Sequence, residues 1–378
     1  MSRFVIACGG TGGHLSPGIA LAQALVERGH TATLFISHKQ VDTRLVEQYP
    51  HLAAERVMSA PFGGRPDVLA RFVVKQSRGF LFSWRFLKQH RPDAIIGFGG
   101  FTNAGVVVAG RLLGIPVALH EANRIPGLAV RRLSGMAARL YLPPGVRLPG
   151  IRGVIVRHTG LPVRHEITRL LRDEARALLG VNPAQKLLVV IGGSQGSGNL
   201  NRWARENLAA LALEGIQLYC ITGLGKGTAG MGEMRDKNGQ VVRAWFEAFS
   251  DRVGVLLSAA DLVVSRAGAG TLAELVRCET PAVLIPYPHA ANNHQWANAT
   301  YFEQQGGGVV IGEPALASLR QEVLDIIFND WLLNKFRGNL HRMSQENCID
   351  TIVHDLEELA SGTPPARHLR HTPAPLTS

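Results

Sequence analysis

One pattern occurs twice in this sequence and constrains its fold more than any other. A short apolar run, Phe4–Cys8, leads directly into the glycine cluster Gly9-Gly10-Thr11-Gly12-Gly13. A second run, Leu187–Ile191, leads into Gly192-Gly193-Ser194-Gln195-Gly196, about half the chain later. An amphipathic stretch follows each cluster. Strand, glycine turn and helix in that order open a nucleotide-binding α/β unit, where glycine lets the backbone turn sharply and come close to a ligand. Two copies predict two domains of similar topology, and 378 residues are enough for both.

The remaining pattern agrees. Thr31–Ile36, Ala94–Ile96 and Val117–His120 read as buried strands in the first half, and Gln217–Thr222, Leu262–Ser265 and Ala282–Pro286 in the second. Helical periodicity covers Pro17–Arg28, Asn103–Leu113, Asn199–Leu213, Thr271–Arg277 and Gln295–Gln305. The fold class expected is α/β, with two doubly wound parallel sheets. Ligands of such sheets bind beyond the carboxyl ends of the strands, so two of them can share a cleft. A break is expected near Gly160-Leu161-Pro162. The final residues, rich in Pro, Thr, Arg and His, read as a disordered tail from Gly362 to Ser378.

Composition removes several classes. Hydrophobic residues at 46% and charged residues at 18% describe a globular chain. No window of eighteen apolar residues lacks a charge, so no membrane span is expected. The apolar run after Met1-Ser2-Arg3 is too short for a signal peptide. Cys8, Cys220, Cys278 and Cys348 form no Cys-x-x-Cys pair and read as reduced thiols.

The first cluster ends in His14. With Ser16 as N-cap and Pro17 as first helical residue, a helix start is expected just behind the loop, where free N–H groups and the dipole favour a phosphate or diphosphate. The dinucleotide pattern fails, because Leu15 stands where the third glycine belongs and no acid follows the second strand at Ile36-Ser37-His38. Gly223-Leu224-Gly225-Lys226-Gly227 has the wrong spacing for a Walker A loop. An imidazole at position 14 has two readings: general base towards a hydroxyl, or hydrogen-bond partner of diphosphate and backbone. The Gly192 cluster can hold phosphate too, with the Ser194 hydroxyl as donor. In Gly268-Ala269-Gly270-Thr271-Leu272-Ala273-Glu274, Thr271 and Glu274 fit a capping box, and Glu274 alternatively accepts from ribose hydroxyls. Asp-x-Asp, the carboxylate pair that holds a metal–nucleotide in many sugar transferases, is absent. Helix ends and cations are therefore expected to neutralise the leaving group, with no protein-bound metal and no cofactor.

These loops, with Gly97-Phe98-Gly99-Gly100-Phe101, His120-Glu121-Ala122-Asn123, Pro162-Val163-Arg164 and Asn293-His294-Gln295, stand in an order that resembles the MurG family of peptidoglycan N-acetylglucosaminyltransferases. The resemblance spans roughly residues 5 to 300. It implies the GT-B fold, two Rossmann-like domains facing across a cleft. It also implies inverting transfer of N-acetylglucosamine from UDP-GlcNAc to the muramoyl 4-hydroxyl of lipid I, giving lipid II. On it, His14 is the catalytic base, and Thr11, Gly12, Gly13, Asn123, Arg164, Ser194, Glu274 and Gln295 contact UDP-GlcNAc. The layout it implies is an acceptor- and membrane-binding domain over 1–162 and a donor domain over 163–344. A helix at about 345–361 then packs back on the first domain. Leu161 stands where the family often has asparagine, and Ser250 where it often has an aliphatic residue.

A net charge of +11 suits an anionic membrane surface, nucleic acid or phosphorylated substrates. Arg65, Arg71, Lys75, Arg78, Arg85, Lys88 and Arg91 are interleaved with Phe72, Val73, Val74, Phe80, Leu81, Phe82, Trp84 and Phe86. That mixture fits either a membrane-surface patch or an amphipathic helix with its apolar face in the core. No nucleic-acid motif accompanies the charge. The resemblance further implies action at the cytoplasmic face of the inner membrane, as a peripheral protein, in reach of cell-wall assembly proteins. Rival readings are a UDP-sugar epimerase, another lipid glycosyltransferase and a non-enzymatic nucleotide-binding scaffold.

Overall fold

The computed structural model describes residues 1–362 apart from 11, 61–64, 101, 194–195 and 345–347. The first half runs β1 (Arg3–Ala7), α1 (Gly12–Glu27), β2 (Thr31–Ile36), α2 (Gln40–Val46), β3 (Ala53–Arg56), α3 (Pro66–His90), β4 (Ala94–Gly97), α4 (Thr102–Leu112), β5 (Val117–His120), α5 (Leu128–Leu133), β6 (Arg139–Leu142) and β7 (Ile155–His158). Its seven strands lie in the order β3-β2-β1-β4-β5-β6-β7, and every pairing is parallel. The order reverses between β1 and β4, which makes the carboxyl end of β1 the natural ligand crevice.

The second half runs α6 (Arg172–Leu179), β8 (Lys186–Ile191), α7 (Gly198–Leu213), β9 (Ile216–Ile221), β10 (Gly230–Arg235), β11 (Val241–Glu247), α8 (Val253–Ala259), β12 (Leu262–Ser265), α9 (Ala269–Cys278), β13 (Ala282–Leu284), α10 (His294–Gln304), β14 (Gly308–Val310), α11 (Leu319–Ile327), α12 (Asp330–Ser344) and α13 (Cys348–Ser361). The sheet order is β10-β11-β9-β8-β12-β13-β14, with β10 antiparallel to β11 and the rest parallel. It reverses at β8 and β12, beyond which lie the second and third glycine clusters.

The central strands of both sheets are buried on two faces, as continuous apolar strands require. Phe4, Ile6, Leu34 and Ile96 pack under Leu15, Ile19 and Leu25 of α1. The same cluster takes in Ile352, Val353 and Leu356 of α13, so this helix returns to the first sheet. Val5, Phe35, Ile95 and Leu119 face Leu87 of α3 and Val106 and Val107 of α4 on the other side. Arg139 on β6 is buried, and Asp355 of α13 supplies its counter-charge at 3.7 Å.

Two local expectations are corrected. The first helix begins at Gly12, not Pro17, which lies inside it. The glycines have no side chains to resist an extra turn, and the missing N–H of Pro17 merely leaves the Gly13 carbonyl without its helical donor. The Thr271/Glu274 capping box does not form either. Gly268 is the N-cap of α9, with no side-chain cap bond, and Glu274 turns to Arg164 at 3.5 Å.

In α3, only Gly79, Ser83 and Leu87 are fully buried. Phe80, Phe82, Trp84 and Phe86 pack partly against the core, whereas Leu69, Val73, Val74 and Leu81 are exposed. Among the described residues, no helix is long and apolar enough to cross a membrane. The tail expected to be disordered falls, from residue 363 on, outside the described residues.

Candidate active site

The first glycine loop is held by Asp42, a wholly buried carboxylate at the start of α2. Its Oδ2 accepts from Gly10 N (2.9 Å), Ser37 N (3.2 Å) and Ser37 Oγ (2.6 Å). Lys39 Nζ donates to the Gly10 carbonyl. Gly9 is obligatory, because a Cβ there would collide with the backbone at Ser37. Gly192 is obligatory for the same reason against Ser197. Sequence reasoning missed Asp42: the acid does follow the second strand, but it ties loop backbone together rather than reaching towards a ribose.

Gly12, Gly13 and His14 form the first turn of α1. The His14 ring lies along the loop after β4: a Cβ on Gly100 would stand 3.0 Å from His14 Nδ1, and one on Gly99 3.5 Å from Nε2. Both glycines have positive φ, +88° and +80°. The platform therefore needs glycine for its conformation as well as its space. Burial lowers the imidazole pKa from 6.5 to about 4; the Asp42 carboxylate pulls it up, while Lys39 and His294 push it further down. The ring is neutral at pH 7 and has a lone pair to accept a proton.

The two halves meet at this point. Helices α1 and α9 pack together, and a Cβ on Gly270 would lie 3.9 Å from Gly13 Cα. Two helix N-termini thus open on one cleft, each adding positive potential where a diphosphate would sit. Gln295, at the start of α10, accepts from Tyr287 N at 2.9 Å. The left-handed pair Asn292 and Asn293 turns the chain into that helix. Behind these loops, buried Arg266 donates to Ser197 Oγ (3.0 Å), the Ile285 carbonyl (3.1 Å) and Glu313 (2.6 Å).

Arg164 and Glu274 face each other at 3.5 Å. Arg164 also pairs with Glu166 (3.3 Å) and donates to Tyr49 Oη (3.1 Å), whose hydroxyl donates to Glu166. Burial raises the Glu274 carboxyl pKa, and Arg164 counters it. Asn123 is fastened to Glu121 and to Asn298. A cavity of about 1070 Å³ runs between the halves along Arg164, Leu272, Tyr301 and the later turns of α1 at Ala24 and Glu27. The structure therefore gathers Gly12, Gly13, His14, Asn123, Arg164, Glu274 and Gln295 at the junction of the halves. Thr11 and Ser194 lie outside the described residues.

Residues 4–142 match the glycosyltransferase family 28 N-terminal domain, and residues 187–347 match the family 28 C-terminal domain. The chain belongs to glycosyltransferase family 28. Its relatives in that family include the Opitutus terrae UDP-N-acetylglucosamine--N-acetylmuramyl-(pentapeptide) pyrophosphoryl-undecaprenol N-acetylglucosamine transferase, 57% identical over 96% of this chain and 98% of the relative. The enzyme of the same name from Parasynechococcus marenigrum is 36% identical over 95% of this chain and 99% of the relative. The Acinetobacter baumannii MurG crystal structure superposes with a TM-score of 0.70 at 23% identity, covering 94% of this chain and 99% of that one. The calicheamicin glycosyltransferase CalG4 gives 0.66 at 14% identity, covering 97% and 100%. The last two establish the fold, which is GT-B.

Proposed function

We propose that this family 28 enzyme transfers N-acetylglucosamine from UDP-GlcNAc, with inversion, to the muramoyl 4-hydroxyl of undecaprenyl-diphospho-MurNAc-pentapeptide, converting lipid I to lipid II. The observation that carries the reading is the meeting of α1 and α9, which sets neutral His14 beside two helix N-termini. The near full-length relatives named for this transfer support the choice of substrates.

In this reading His14 takes the proton of the attacking hydroxyl as the oxygen closes on the anomeric carbon. UDP departs on the opposite face. Its diphosphate charge is met by the loop amides at Thr11, Gly12, Gly13 and Ser194 and by the planar fork of Arg164. Glu274 accepts from the ribose hydroxyls after releasing Arg164 to phosphate, and Asn123 and Gln295 contact the sugar. In this reading residues 1–162 form the acceptor domain and 163–344 the donor domain, with α13 returning to the first.

The acceptor is lipid-linked, and α3 offers it a membrane contact. Exposed Val73 and Val74 stand among exposed Arg71, Lys75 and Arg78. Each cation near an anionic surface contributes about 1 kcal/mol. In this reading the enzyme acts as a peripheral protein on the cytoplasmic face of the inner membrane.

UDP release separates the transferase from its rivals. It is expected to require both UDP-GlcNAc and the lipid acceptor. Conversion of donor without acceptor would point to an epimerase or hydrolase, and donor binding without turnover to a scaffold.

A further inference from the structure

Asn298 lies one turn beyond His294 and Gln295 in α10 and is 3% exposed. Its amide is used in three directions. Oδ1 accepts from Arg124 N at 2.9 Å, and Nδ2 donates to Asn123 Oδ1 at 3.1 Å and to the Ala267 carbonyl at 3.2 Å. Asn123 and Arg124 belong to the loop after β5 in the first half. Ala267 immediately precedes Gly268, where α9 begins. One buried side chain thus ties a first-half loop to the turn that aims the α9 N-terminus.

The first-half end of this link is itself preset. Glu121, 4% exposed, accepts from Asn123 N (2.9 Å) and Nδ2 (3.1 Å) through Oε1, and from Gly127 N (2.7 Å) through Oε2. The Arg124 guanidinium lies 3.7 Å over the Tyr301 ring of α10, a second tie beside the first.

We infer that Asn298 is a positioning residue that makes docking of the two halves and alignment of Asn123 with the α9 turn a single event. The amide chemistry explains the choice. Two donors on one nitrogen and an acceptor in the same plane match two carbonyl oxygens and one N–H; a carboxylate has no donor, and a hydroxyl has only one. The bonds to Arg124 N and Asn123 Oδ1 cross between the halves, whereas the Ala267 bond stays within the second half. A partly docked arrangement that keeps the crossing groups from water but apart leaves them unmet, and unmet buried polar groups are costly. Partial docking is therefore disfavoured. The inference uses the transfer reaction as one readout and adds to it a residue outside the proposed substrate contacts.

Two measurements on the full chain test it. In solution scattering without substrate, Asn298→Ala is expected to raise the radius of gyration relative to wild type; an unchanged radius would overturn the inference. In the transfer assay, Asn298→Ala and Asn123→Ala are each expected to lower kcat/KM on the order of 10²-fold. Together they are expected to lose no more than about threefold beyond the worse single variant, because one acts through the other. Losses that multiply independently, or wild-type kcat/KM for Asn298→Ala, would overturn it. A helix-packing role alone would lower Tm without this coupling. Should Asn298→Ala fail to fold, Asn298→Ser is measured in the same cycle. If wild type itself transfers nothing, the proposed reaction fails and scattering alone decides the role of Asn298.

Discussion

A single carboxylate oxygen, Asp42 Oδ2, gathers the backbone of the first loop through Gly10 N and Ser37 N and the Ser37 hydroxyl. Asp42→Asn replaces a charged acceptor of three bonds with a neutral amide that also brings donors. Hydrogen bonds to charged groups are worth about 1.5–3 kcal/mol, so a loss of about 2 kcal/mol is expected in urea unfolding. His120 gives a pH signature. It is 1% exposed, one ring nitrogen lies 3.1 Å from the Gly160 carbonyl, the other is buried without a hydrogen-bond partner among the described residues, and burial lowers its pKa from 6.5 to about 4. His14 is lowered to about 4 as well. Between pH 6.5 and 4 the unfolded chain takes up protons at these rings and the folded chain does not, so stability falls as pH falls through that window. His120→Gln cannot titrate. Its unfolding free energy is expected to change with pH by up to about one proton less than wild type across that window; an identical slope would contradict the assignment.

At the scale of elements, glycine contacts reverse an ordinary rule. Gly79 sits inside α3, where alanine normally stabilises a helix by up to about 1 kcal/mol. Here a Cβ would collide with the Met58 carbonyl. Gly79→Ala is expected to destabilise instead, by about 1–3 kcal/mol in urea unfolding, the usual cost of overpacking. The exposed face of the same helix carries the membrane proposal. Val73→Asp with Val74→Asp is expected to weaken binding to anionic vesicles about tenfold or more while leaving Tm near wild type. Central strands were legible because burial on both faces leaves unbroken apolar runs, as in Phe4–Ala7 and Leu187–Ile191. The edge strands were not: Gly230–Arg235 is largely exposed and Ile155–His158 alternates with two basic residues. Arg139 hid β6, because the Asp355 that neutralises it comes from the far end of the chain.

For the whole molecule, the duplicated strand–glycine–helix unit carried the fold, and the ordered motifs named most of the residues that meet at the junction of the halves. What they could not show were the ties between distant segments. Asp42 reaches back to Gly10, and Asn298 reaches Asn123 from the other half; neither sits in a motif whose spacing announces the contact. The Arg164–Glu274 pair was hidden in the same way, although both residues were singled out separately. In the proposed reaction, sugar transfer occurs where α1 and α9 meet, with His14 as base. The direct measurement counts radiolabelled N-acetylglucosamine passing from UDP-GlcNAc into lipid-extractable product, for wild type and His14→Ala side by side. Wild type is expected to show acceptor-dependent transfer, and His14→Ala a rate on the order of 10²–10⁴-fold lower with UDP-GlcNAc still bound. No transfer by wild type, or near-normal transfer by His14→Ala, would contradict it.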